Sequence, residues 1–162
     1  LAEIVVEVDT WRWSGVPFRL RSGKAIGDPR QEVIVTFKDP TRIPTGLTGY
    51  ERPERLRISI PKGAGSLSLD LNINGPGDPT KLDRTTLVAD FGAGDLPEYG
   101  EVLKAILAGD PTLSVRGDMA VDGWRIVQPV IDAWRRDEVP LQEYEAGSPG
   151  PPDWPTAGLP GP

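Results

Sequence analysis

The sequence predicts an α+β fold, and three observations carry that prediction. Apolar and polar residues alternate in six or seven short runs up to Phe91, the two-residue period of strands. The period then changes: Tyr99, Val102, Leu103 and Ile106 fall at i, i+3, i+4 and i+7, one stripe of an amphipathic helix. Strands therefore come first and helices late, unlike the βαβ alternation of a parallel nucleotide-binding sheet.

The elements follow in order. Ile4, Val6 and Val8 alternate with Val5, Glu7 and Asp9 in a first strand. A turn near Ser14-Gly15 leads to a second strand from Val16 to Leu20. Trp11 and Trp13, two apart, are expected on one side of a strand, as core or interface anchors or as a platform for a sugar ring. Val33, Val35 and Phe37 mark a third strand, stopped by Asp39-Pro40. Thr41 to Pro53 is a loop. Leu56, Ile58 and Ile60 form a fourth strand. Leu67, Leu69, Leu71 and Ile73 form a fifth with one wet and one dry face. After the turn at Asn74 to Pro79, Thr85, Leu87, Ala89 and Phe91 form a sixth.

Asp95 and Glu98 can cap the first helix, Pro97 suits its first turn and Gly109 its end. Leu113 and Val115 suggest a short strand. A second helix is expected from about Asp118 to Asp137, with Trp124, Val127, Ile131 and Trp134 as its core stripe and a kink or break at Pro129. Ten of the 17 residues from Ala146 to Pro162 are Gly or Pro, so 146–162 is expected to be an extended or disordered tail, pinned at most by Trp154.

Composition narrows the function. The chain has 162 residues, 38% hydrophobic and 26% charged, as expected of one globular, soluble domain. A net charge of −6 without a basic block argues against nucleic acid or an anionic membrane as the main partner. No apolar run reaches the ~20 residues of a membrane span. The lack of cysteine excludes disulfides and thiolate catalysis and fits a reducing compartment, with the cytoplasm the expected location. The lack of histidine removes the usual general base and the commonest metal ligand. Asp70, Asp78, Asp83 and Asp90 have no spacing that suggests a carboxylate pair or a cation loop, so no metal is expected. The chain opens at Leu1, already within a strand pattern, which points to an excised fragment or a processed product.

Several segments, in order, resemble the C-terminal part of glucose-6-phosphate dehydrogenases. Asp9 to Phe18, reading DTWRWSGVPF, is similar to the bacterial run D-N-W-R-W-x-G-V-P-F. Leu20-Arg21-Ser22-Gly23-Lys24 resembles the family's turn before its substrate lysine, and Glu32 to Lys38 its E-I-x-V-x-F-K strand. Pro97-Glu98-Tyr99 with Leu103 to Asp110, Leu113 to Arg116, Trp124 to Pro129, and Tyr144 to Pro151 resemble the family's later helices, strand and Y-x-x-G-S-x-G-P close. The likeness spans Asp9 to Pro151.

That resemblance implies a large, mainly antiparallel sheet with helices on one face and a second subunit on the other. It implies a substrate and dimerisation domain over 1–145 of an NADP-dependent enzyme. That enzyme would oxidise glucose 6-phosphate to the lactone, as a homodimer or homotetramer. The chain's own N-terminal Rossmann-type domain would carry the nucleotide and the catalytic histidine, so no catalytic residue is expected here. Lys24 is the expected contact to the sugar phosphate; without the family context it reads as a surface lysine. The family's second basic position is Pro29, and the neighbouring Arg30 is either a substitute contact or a loop arginine. No glutamine stands where the family has one, and Ser59 is the only polar candidate near it. Arg21 matches a site for a second, structural NADP in eukaryotic members. The arginine partner used there is Pro149 here, so a structural Arg21 is expected. The alternative reading is a stand-alone binding or assembly module that kept the sheet and lost catalysis.

Overall fold

A computed structural model describes residues 1–60, 64–92 and 97–154, with only the backbone of Glu98. Six strands precede two helices: β1 (Ala2–Glu7), β2 (Pro17–Ser22), β3 (Glu32–Thr36), β4 (Arg55–Ser59), β5 (Ser66–Asn74), β6 (Leu82–Asp90), α1 (Glu98–Leu107) and α2 (Gly117–Arg135). The α+β order holds, and the four pairings between these strands are antiparallel. The strands form two sheets, β1-β2 and β3-β4-β5-β6. The chain divides into two compact units, Leu1–Pro29 with Asp110–Pro162, and Arg30–Gly109.

In the first unit, β1 and β2 pair with Ile4 opposite Leu20 and Val6 opposite Phe18. Glu3, on the other face, accepts from Arg19 at 2.7 Å and from Arg21 Nε at 2.7 Å. The strands are joined by a folded turn, where Trp13 N and Ser14 N both donate to Thr10 O and Gly15 sits at φ +71°. This corrects the expected strand through Trp11 and Trp13. Trp13 meets Phe18 edge-on with ring centres 5.4 Å apart, whereas Trp11 is 90% exposed.

The expected strand at Leu113 and Val115 is also absent. An Asx turn takes its place, with Thr112 N and Oγ1 both donating to Asp110 Oδ1. The second helix runs unbroken through Pro129. Proline removes one donor but keeps a helical φ. The stripe on α2 is not core: Trp124 is 64% and Trp134 38% exposed. Trp134 borders a shallow depression of about 180 Å³ lined by Ala2, Ile4, Leu20, Arg21 and Ser22.

In the second unit, the register of the four-stranded sheet separates its faces, because residues directly paired in an antiparallel sheet share a side. Val33 and Val35, Leu56 and Ile58, Leu67 and Leu69, and Leu87 and Ala89 share one face. The opposite face carries Glu32, Arg57, Ser68, Val88, Asp70 and Thr86. It is laced by Arg57 Nη1 to Glu32 at 2.9 Å and Thr86 Oγ1 to Asp70 at 2.7 Å. No hydrophobic side chain is fully buried among the described residues. The apolar face is open at Leu87, Val33 and Val35, which are 58%, 49% and 40% exposed.

The loop before β4 is tied down, with Thr48 bonded to Thr80 and Leu82. Tyr50 donates to Asp39 at 2.6 Å. Helix α1 ends as expected at Gly109, φ +70°. The proposed Asp95–Glu98 cap lies outside the described residues.

Candidate functional site

The most informative cluster surrounds the turn that leaves β2. After Ser22 the chain passes through Gly23, Lys24 and Ala25. Ala25 adopts φ +55°, a left-handed conformation uncommon for a residue with a Cβ. A conformation of this kind persists only where the surroundings fix it, and here they do. Tyr144 Oη donates to Lys24 O at 2.8 Å and accepts from Leu1 N at 3.0 Å. Gly147 N donates to Ala25 O at 2.7 Å, and Gly27 N donates to Ser148 O at 3.1 Å.

The two segments meet with no room for a side chain on Gly27. A Cβ on Gly27 would stand 2.0 Å from Gly147 O. Gly147 itself sits at φ +86°, which glycine adopts without strain. The segment is held further along by Trp154, whose Nε1 donates to Gln142 Oε1 at 2.5 Å. The Trp154 ring lies 5.4 Å from the Arg21 guanidinium. Residues 146–154 are thus folded back on the turn rather than extended, with Gly150 and Pro151 buried. Trp154 does pin them; residues 155–162 lie outside the described part.

Lys24 projects from this braced turn. Its side chain is exposed and makes no hydrogen bond or ion pair among the described residues. A free ammonium on a fixed backbone can donate several hydrogen bonds to an incoming anion. Arg21, by contrast, is engaged by Glu3 and Trp154, which suits a structural role.

Arg30 opens the second unit. It stands 3.7 Å from Glu32, which also accepts from Arg57. Ser59 pairs with Glu32 across β3 and β4, on the polar face. Arg30 and Ser59 are therefore near one ion-paired edge, whereas Lys24 belongs to the first unit.

Among the scattered acids, Asp70 is taken up by Thr86 and Arg84, and Asp83 lies 3.8 Å from Lys81. Hydrogen bonds from Thr80 hold the Asp78 carboxyl below its usual pKa. No group of acids among the described residues could hold a metal ion. All strand pairings are antiparallel and no β–α–β crossover occurs among the described residues. The residues present therefore do not fit a dinucleotide site of the Rossmann kind.

The sequence pointed to Lys24 but not to Tyr144, Gly27 or Gly147 as its support. Both segments are recognisable as motifs. Their contact joins residues 120 positions apart, and no local period reports such a pairing.

Comparison with known proteins places the chain in a family. Residues 1–156 match the family model described as "Glucose-6-phosphate dehydrogenase, C-terminal domain". The chain is 36% identical over 155 residues to a glucose-6-phosphate 1-dehydrogenase of Gluconobacter oxydans, covering 93% of this chain and 31% of that protein. It is 33% identical over 158 residues to the enzyme of that name from Mycolicibacterium smegmatis, with the same coverage. The corresponding protein of Rhizobium meliloti is 32% identical over 154 residues, covering 91% and 31%. The chain thus spans about a third of the length of the curated relatives it matches. With its braced lysine turn and a family match that runs through it, this chain belongs to the glucose-6-phosphate dehydrogenase C-terminal domain family.

Proposed function

We propose that the chain is the C-terminal domain of an NADP-dependent glucose-6-phosphate 1-dehydrogenase of the cytoplasm, and that it binds the sugar phosphate through Lys24. The observation that carries this reading is the free Lys24 ammonium on a turn held by Tyr144, Gly147 and Ser148. A phosphate monoester carries about −1.5 to −2 charges near neutral pH. A rigid backbone spares the cost of ordering the loop, leaving only the lysine's own side-chain entropy to be lost.

The division of labour is the one the family resemblance implies, and composition and topology support it. With no histidine and no β–α–β crossover among the described residues, this chain supplies binding and assembly in this reading. A preceding domain would hold NADP, which would supply the hydride acceptor. The sheet of β3 to β6 offers its open apolar face to a second subunit. In this reading 1–145 form the substrate and dimerisation domain and 146–162 its tail.

A second reading is favoured by one observation. Arg30, next in sequence to the family's second basic position, stands by Glu32, and the segment from Leu56 to Pro61 carries no glutamine where the family has one. A module that keeps the sheet and has lost catalysis would tolerate both changes.

The test is NADP reduction by the full-length protein with glucose 6-phosphate. The first reading predicts turnover that is lost when the N-terminal domain is removed. Absence of turnover in a folded full-length protein would leave the assembly module. Turnover by residues 1–162 alone would contradict the division of labour.

A further inference from the structure

We infer that the C-terminal segment from Gln142 to Trp154 is a positioning element for the Lys24 turn, with Tyr144 its key side chain. The inference rests on the reading that Lys24 meets the substrate phosphate.

Three main-chain groups of the turn are bonded to that segment: Lys24 O, Ala25 O and Gly27 N. They lie at Lys24 and in the three residues that follow it. Lys24 O and Ala25 O belong to the peptide groups on either side of Ala25, so together they hold Ala25 in its left-handed conformation and fix the main chain on the C-terminal side of Lys24. The left-handed Ala25 adds to this argument. An alanine at φ +55° is strained when free, so the turn relaxes to another conformation once the bonds that hold it are removed.

The segment is itself anchored at both ends. Tyr144 reaches Lys24 O and Leu1 N, and the Gln142–Trp154 bond closes the segment on itself. None of these groups need touch the substrate, so they act through Lys24 alone.

The test uses the full-length protein with three substitutions. Glucose 6-phosphate binding is measured by calorimetry without nucleotide, and kcat and both KM values by steady-state kinetics. Tyr144→Phe keeps the ring and removes the hydroxyl. It is expected to weaken glucose 6-phosphate binding about fivefold, the effect of one ordinary hydrogen bond lost. It should raise KM for the sugar phosphate in step, with kcat and KM for NADP within about twofold of the parent. Gly27→Ala forces a Cβ against Gly147 O and should give the same pattern with a larger rise. Lys24→Ala separates the two levels of argument. If Lys24→Ala weakens binding but Tyr144→Phe and Gly27→Ala do not, the positioning role is overturned and the phosphate reading stands. If Lys24→Ala has no effect, the phosphate reading itself fails. Tyr144→Phe lowering kcat and disturbing both KM values alike would mark a merely structural contact, which also overturns the inference.

Discussion

Replacing Leu87 by aspartate tests whether the open face of the four-stranded sheet is a contact surface. Leu87 lies opposite Leu69 on the apolar face and is 58% exposed. Covering a fully exposed leucine is worth roughly 1.5–3 kcal/mol, so covering what remains of Leu87 contributes about 1–1.5 kcal/mol. A carboxylate there loses that term and adds several kcal/mol of desolvation if a partner seals the face. A total of about 3 kcal/mol or more corresponds to association weakened at least about 100-fold.

The neighbouring residue supplies the control. Val88 is 63% exposed on the same strand, but it pairs with Ser68 on the polar face. Val88→Asp should leave association within about threefold of the parent, since that face stays wet. Sedimentation velocity of the full-length protein across a concentration series reads both. Equal effects from the two substitutions, or none from Leu87→Asp, would refute the assignment of the apolar face to the subunit interface.

Three further predictions concern the loops. Gly147→Ala places a Cβ at φ +86° and should cost about 1–2 kcal/mol locally. Hydrogen exchange at residue 147, whose N–H donates to Ala25 O, should then accelerate about tenfold, and an unchanged rate would contradict the brace. The hydrogen bond to Asp39, together with its negative charge, pushes the Tyr50 hydroxyl up from 10.0 to about 12. The neutral phenol is the form favoured by folding, so this contribution is fully present below pH 10 and is lost as pH rises through about 12. Asp39→Ala should return the Tyr50 titration towards 10, as followed by NMR of the ring. Hydrogen bonds from Thr112 hold Asp110 below its usual value of 3.8. That contribution is present above 3.8 and fades as pH falls through the depressed value. Thr112→Val should raise the Asp110 carboxyl titration, and an unmoved value would count against the Asx turn.

The strands were legible because each carries its own period. Leu67, Leu69, Leu71 and Ile73 announce β5 with no help from tertiary structure, and the Tyr99 to Ile106 stripe announces α1. The division into two sheets was not legible, since alternation says nothing about which strand pairs with which. Trp11 and Trp13 imitate strand spacing, yet Gly15 and two bonds to Thr10 O close a turn there. Proline 129 reads as a breaker, but a fixed φ near −65° is already helical and only one bond is lost. Trp124 and Trp134 look like core because periodicity reports an apolar face, yet here both stay exposed while Val127 and Ile131 are half-buried. Lys24 stood out through its neighbours Ser22 and Gly23; the Tyr144 contact that braces it is a tertiary fact, visible only in the fold.

The central claim is that Lys24 reads the phosphate of the sugar. Its most direct test is calorimetric titration of the full-length protein and its Lys24→Ala form, each with glucose 6-phosphate and with unphosphorylated glucose. A charge-assisted hydrogen bond contributes about 1.5–3 kcal/mol, so Lys24→Ala should weaken glucose 6-phosphate binding about 10- to 150-fold. Its affinity for glucose should stay that of the parent. Equal glucose 6-phosphate affinities in the two proteins, or a parallel loss for both sugars, would contradict the account.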